Sequence, residues 1–266
     1  MTRVIHPPRG RRISTWGAGA VLRQGNVAVG NFFFRYRNAL FPVVFVLVVP
    51  FMQPRLMFNN STLDRLLATC GALVALAGEF IRLVTIGYEY IERGGKEGKV
   101  YASHLVEGGV YALTRNPMYV GNALIAIGMT MIAGSPLVYS IVLPFFLFVY
   151  QAIVSAEEGY LRGRFGKAYD QYCARVNRFL PALHHVRGML CGMRYDWRRA
   201  VRKELSTIAG LLIGFILLPI WRVCWLRGWA AAKAAAPRTL VLVLAVLLLY
   251  GLFVRLKRSR QLFYEG

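Results

Sequence analysis

A small set of polar residues interrupts an otherwise apolar chain. Arg115, Asn116 and Pro117 run straight into Tyr119, Val120 and Gly121. Pro117 suits the first turn of a helix, where free N–H groups and the positive dipole end favour a carboxylate or phosphate. Arg115 adds a cation with two-pronged geometry. Taken alone, the same residues also fit an arginine at lipid headgroups with Tyr119 in an interfacial belt. Just upstream lie His104, Val106, Glu107, Gly108, Gly109 and Tyr111; a Gly-Gly step permits unusual φ and close backbone approach to a ligand. Downstream, Glu157 and Glu158 close an apolar run. Acids are disfavoured at a helix C-terminus, so the helix is expected to continue through Leu161–Phe165. Phe165, Tyr169 and Tyr172 share a helical face, with Arg175 three residues after Tyr172. This reads as an amphipathic interfacial helix whose aromatic face packs on the membrane rather than on a ligand. Glu79 and Arg82 stand three apart inside an apolar segment. They form either an ion pair that neutralises itself or the lining of a polar cavity at membrane depth.

The elements that hold these residues are membrane spans. The 266 residues carry 56% hydrophobic and only 17% charged side chains, with a mean hydropathy of +0.45. A soluble domain carries about 25% charged residues, so the composition excludes a soluble enzyme, a disordered chain and a disulfide scaffold. The expected fold class is all-α, a polytopic membrane protein with about six transmembrane helices and cytoplasmic interfacial helices. The segments are about 38–53, 66–88, 119–133, 137–155, 207–221 and 239–254. Only Gly134, Ser135 and Pro136 separate the third from the fourth, which forces a tight helical hairpin. Three parts follow: a basic cytoplasmic arm over 1–37, a four-helix core over 38–205, and a transmembrane hairpin with a basic tail over 206–266. Ala230–Ala236 reads as a plain extramembrane linker before the last helix.

Charge sets the orientation. With the N-terminus cytoplasmic and six spans, 26 basic residues lie inside and six outside, the bias expected of cytoplasmic loops. Both termini are therefore expected in the cytoplasm, in a plasma (inner) or internal membrane. This bias accounts for most of the formal charge of +21, so no nucleic-acid partner is expected. Trp197, Arg198, Arg199, Arg202 and Lys203 are expected to anchor at anionic lipid headgroups. Cys70, Cys173, Cys191 and Cys224 show no paired spacing and read as reduced. His184, His185, Cys191 and Cys173 match no short metal module, so no metal is expected. No catalytic triad, phosphate loop or dinucleotide fingerprint is present.

In order, the chain carries His-Leu-Val, Gly-Val-Tyr, Arg-x-Pro-x-Tyr-x-Gly, a hairpin, Glu-Glu, Phe-Gly-x-x-Tyr-x-x-Tyr and Arg-Val ahead of a proline. Over about residues 90–182 this resembles the isoprenylcysteine carboxyl methyltransferases and the related phospholipid methyltransferases. The resemblance implies an integral-membrane enzyme using S-adenosylmethionine on a membrane lipid or lipidated substrate. It implies that His104, Val106, Gly109, Tyr111, Arg115, Pro117, Tyr119, Gly121, Glu157 and Glu158 bind the cofactor. Arg175 would stand near the reacting centre, with His104 and Arg115 as further catalytic candidates, and Glu79, Arg82, Tyr172 and Arg175 would meet the substrate. Asn116 departs from the carboxyl methyltransferase pattern, which has His there. Carboxylate O-methylation and amine N-methylation both stay open. The alternatives are a sterol-type membrane reductase using a reduced nicotinamide cofactor, with Arg162, Arg164 and Lys167 on its 2′-phosphate, and a transporter or scaffold without enzymatic activity.

Overall fold

A computed structural model of the chain describes residues 4–5, 32–33, 35–36, 47–48, 51–56, 59–88, 104–182 and 195–258. The described elements are six helices and a two-residue ladder. The helices are α1 (Ser61–Tyr88), α2 (Pro117–Ala133), α3 (Leu143–Phe165), α4 (Lys167–Arg175), α5 (Trp197–Arg227) and α6 (Trp229–Arg258). In the ladder, β1 (Val4–Ile5) pairs antiparallel with β2 (Leu105–Val106). Among the described residues, four helices are long and apolar enough to cross a membrane: Ser61–Tyr88, Val138–Phe165, Trp197–Arg227 and Trp229–Lys257. Pro117–Ala133 is apolar but shorter. This is an all-α integral membrane protein. Of the six expected spans, the first falls largely outside the described residues.

Local chemistry explains most of the boundaries. The Asn60 side chain accepts from the N–H groups of Thr62 and Leu63 at 2.9 and 3.2 Å and caps α1. Pro117 is the first residue of α2, as expected of proline. Gly134, at φ +62°, turns the chain after α2, and a π-helical turn over Val138–Val142 leads into α3. The α3 helix does run past Glu158, to Phe165. Two expectations are corrected. The α5 helix starts at Trp197, ten residues ahead of the expected 207, because Asp196 caps it by accepting from the Arg199 N–H at 2.9 Å. Ala230–Ala236 is not a linker but the first turns of α6, since alanine has the strongest helix propensity.

The described residues fall into two compact units. One draws on Met1–Val49, Tyr88–Val120 and Phe145–Tyr195, the other on Pro50–Gly87, Gly121–Pro144 and Asp196–Gly266.

In the second unit α1 and α2 touch backbone to backbone. A Cβ on Gly78 would lie 2.6 Å from the Gly121 carbonyl oxygen, and one on Gly121 would lie 2.7 Å from that of Gly78. Gly71 and Gly128 repeat the contact seven residues away in each helix, a Cβ on Gly71 meeting the Gly128 oxygen at 2.7 Å. Small residues that let backbones approach are a general device of membrane helix pairs.

Two buried ion pairs join α1 to α5. Arg82 pairs with Glu204 and also donates to Asn122 and Thr207. Asp64 pairs with Arg222, which also donates to the Ile132 carbonyl at 3.0 Å. Acid and base are exchanged between the two pairs, as two antiparallel helices require. The apolar stretch of α6 has no buried residue; this helix lies along α5.

Candidate functional site

The first unit holds most of the predicted site. Val106 is buried at the end of β2. Glu107 and an extended Gly108 follow, then Gly109 at φ +59°, a left-handed conformation open to glycine. A short 3₁₀ turn over Gly109–Ala112 carries Tyr111 and hands the chain on to Arg115 and α2. Three bonds tie this loop to the strand of residues beyond α4. The Arg115 N–H donates to the Asn177 carbonyl and the Ala182 N–H to that of Leu113, both at 2.9 Å. The Thr114 hydroxyl donates to the Arg178 carbonyl at 3.2 Å.

Glu158 is the hub of this arrangement. It projects from the C-terminal part of α3 and is buried. Arg115 Nη2 lies 3.5 Å from its Oε1, and Arg178 Nε 3.2 Å from its Oε2. The Asn116 amide bridges Glu158 Oε1 at 3.3 Å and the Arg178 carbonyl at 3.1 Å. Arg178 also donates to the Ser155 hydroxyl at 2.8 Å. Two guanidiniums and an amide thus hold one carboxylate, and they hold the start of α2 with it. Arg115 Nε is buried with no hydrogen-bond partner among the described residues. One turn along, the Tyr119 phenol donates to Glu157 Oε1 at 2.6 Å.

On the other side of the loop, Arg175 Nη2 pairs with Glu107 Oε2 at 2.6 Å. The aromatic face of α4 is not turned to the membrane as expected. Phe165, Tyr169 and Tyr172 pack with Leu105 and Val176 into a core cluster. The Tyr172 hydroxyl donates to the Tyr111 carbonyl at 2.7 Å, so it serves the loop backbone. Burial raises the pKa of Tyr169 and of Tyr172 far above the ordinary tyrosine range, which keeps both phenols neutral.

Arg115, Pro117, Tyr119, Glu157 and Glu158 are therefore brought together, and Val106, Gly109, Tyr111 and half-buried His104 line the loop beside them. Glu79, Arg82 and Gly121 belong to the second unit. There the expected Glu79–Arg82 pair exists at 3.5 Å, but Arg82 is also held by Glu204, and Gly121 is a helix-packing glycine beside the Arg82 stem. The sequence reading missed Arg178. Its only signal is the Arg-Val-Asn-Arg run over 175–178, in which the second arginine, not the first, reaches Glu158. Of the four residues considered and set aside as metal ligands, His184, His185 and Cys191 lie outside the described residues; Cys173, like Cys70 and Cys224, is a free thiol.

Comparison with known proteins bears out the resemblance. Residues 66–168 match the phospholipid methyltransferase family model. Over that stretch the chain is similar to the phospholipid methyltransferases. Among curated proteins, it is 29% identical over 168 residues to the cobalt-zinc-cadmium resistance protein CzcN of Cupriavidus metallidurans, covering 60% of this chain and 71% of that protein. It is 38% identical over 82 residues to the protein-S-isoprenylcysteine O-methyltransferase of Schizosaccharomyces pombe, covering 30% of this chain and 34% of that enzyme. To the Saccharomyces cerevisiae enzyme of the same name it is 30% identical over 152 residues, covering 53% and 60%. The chain thus spans less than two thirds of the length of either yeast relative. No solved structure matches it.

Proposed function

We propose that this protein is an S-adenosylmethionine-dependent methyltransferase that acts on a lipophilic or lipid-anchored carboxylate or amine at the cytoplasmic membrane face. The observation that carries the reading is the Arg115–Glu158–Arg178 arrangement at the start of α2, within reach of the family-matched stretch. The methionine end of the cofactor is a zwitterion, so its site needs a cation and an acid. Arg115 fits the carboxylate: it sits where α2 presents its positive end, and its buried Nε still has a proton to donate. Glu157, beside Tyr119, is placed to take the ammonium or a ribose hydroxyl. Glu158 fixes Arg115 from behind, and Arg178 balances the second charge on that carboxylate.

When bound, the cofactor supplies a methyl group made electrophilic by its sulfonium, so no protein nucleophile is needed. The chain's part is alignment and exclusion of water. The Gly108-Gly109 step lets the loop backbone approach closely, and the Tyr172–Tyr111 bond holds that loop on α4. Arg175 or His104 would meet the acceptor. The family match supports methyl transfer over the reductase and transporter readings, and Arg162 of the expected 2′-phosphate cluster is engaged by Asp170 at 2.8 Å.

Titration of S-adenosylmethionine into the detergent-purified protein tests this, with reduced nicotinamide dinucleotide phosphate as the parallel ligand. Binding of the first alone is expected, and Arg115→Ala should weaken it by about 30- to 100-fold, the worth of a charge-assisted contact, while the variant still folds in detergent. Unchanged binding in Arg115→Ala sinks the site assignment; binding of the nicotinamide cofactor alone overturns the function.

A further inference from the structure

Glu107 belongs to none of the roles assigned above, yet it is placed to control one of them. Its side chain is only 9% exposed, whereas that of its partner Arg175 is 63% exposed. The acid is therefore the fixed member of the pair, set in the loop between β2 and Gly109. Its Oε2 accepts from Arg175 Nη2 at 2.6 Å, and its Oε1 is buried without a hydrogen-bond partner among the described residues. Arg175 Nε in turn donates to the Gln171 carbonyl at 3.3 Å. The side-on edge of the guanidinium, which grips a carboxylate with two parallel bonds, is thus already taken, and its charge is already balanced. Of the other arginines of the site, Arg178 is held by Glu158, and Arg115, also held by Glu158, is assigned above to the cofactor.

We propose that Glu107 is a specificity-determining residue that bars acidic acceptors by occupying Arg175 in their place. An acceptor carboxylate would have to displace a buried acid from its own partner and lie beside it as a like charge, which is the costly arrangement that discriminates between ligands. An acceptor carrying a positive or neutral amine meets no such barrier. Transfer to an amine then balances simply. The ammonium loses one proton to water, the nitrogen lone pair forms the N–CH3 bond, and the S–CH3 bond breaks with its electron pair left on sulfur. The inference rests on the methyl-transfer reading, and on Arg175 rather than His104 as the residue that meets the acceptor.

The test uses the full chain in detergent and two matched probes, S-farnesyl-N-acetylcysteine, which carries a carboxylate, and S-farnesylcysteamine, which carries an amine. Acceptor binding is measured by calorimetry, and labelled-methyl transfer is measured alongside. Wild type should favour the amine. Glu107→Gln should shift the carboxylate-to-amine ratio by about tenfold or more toward the carboxylate, the worth of one displaced charged contact. Glu107→Asp, which keeps the charge, should retain the wild-type ratio, and adding Arg175→Ala to Glu107→Gln should abolish the gain. A ratio unchanged in Glu107→Gln, with or without loss of thermal stability, makes the pair a surface staple and overturns the proposal. So does a gain that survives loss of Arg175. Absence of S-adenosylmethionine binding in every variant would instead remove the methyltransferase reading, while the acceptor-binding ratio still reports on Glu107.

Discussion

In the second unit, Asp64, Arg82, Glu204 and Arg222 meet each other inside packed helices, and each side chain is close to fully buried. In the first unit, Arg175 meets Glu107 from an exposed position, and Glu158 is shared between two arginines of which one keeps a buried N–H in reserve. The same residue types therefore do two jobs. In the second unit the charges are out of water on both sides of each pair and fix α1 to α5, even though Arg82 has two acids and Arg222 Nε has no hydrogen-bond partner among the described residues. In the first unit one partner is exposed and a donor or acceptor atom is still unsatisfied, so the cluster is open to a charged ligand. A buried charge says little about function until its partners are counted.

The comparison breaks most readily at α5. Glu204→Ala leaves Arg82 buried against α1 and α2, and should cost about 3–5 kcal/mol, the penalty for removing one member of a buried pair. Replacing Glu79, Arg82 and Glu204 together by leucine should restore most of it, since Glu79 also pairs with Arg82. Chemical denaturation in detergent measures both; a single variant as stable as wild type would deny that the pair is structural. The loop of the first unit gives a smaller effect. Tyr172→Phe removes the bond to the Tyr111 carbonyl and leaves a buried acceptor, at about 1–3 kcal/mol. Because the folded pKa of Tyr172 is raised by burial, its contribution is complete below the ordinary tyrosine pKa of about 10 and is lost as pH rises above it. Stability against pH should therefore fall less steeply above that point in Tyr172→Phe than in wild type. The smallest effect belongs to the cap of α5. The bond from the Arg199 N–H holds the Asp196 carboxyl below its usual range, so its support is present above the ordinary aspartate pKa and is lost as pH falls through the folded one. Asp196→Ala should cost about 1 kcal/mol near neutrality and less in acid.

Local signals made much of the fold legible in the sequence. Pro117 marked the start of α2, Gly134-Ser135-Pro136 marked the hairpin, and the wrong sign of Glu157-Glu158 for a helix end showed that α3 continues. The errors came where one local signal hid another. The basic residues from Arg198 to Lys203 read as a headgroup anchor ahead of a span, yet they form the first turns of α5, because a helix can carry charge once it has left the hydrocarbon. In the candidate site, the cluster of Arg115, Tyr119, Glu157 and Glu158 was legible because motif order brought it together. Arg178 and Glu107 were not, since their meaning lies in partners 20 and 68 positions away that only folding supplies.

The exchanged ion pairs of α1 and α5 bear on how the protein is made. Asp64 and Arg82 lie 18 residues apart in α1, as do Glu204 and Arg222 in α5. At 1.5 Å per residue that is about 27 Å, close to the thickness of a bilayer's hydrocarbon. Yet the partners are 122 and 158 residues distant along the chain. On the ribosome, α1 is finished long before these counter-charges exist: Arg82 already has Glu79 three residues away, but Arg222, the partner of Asp64, comes only with α5, and a buried charge without its partner is costly. A fragment ending at residue 168, the limit of the family match, would carry that debt permanently. The later helix is the half of a clasp that lets the earlier one stay in the membrane.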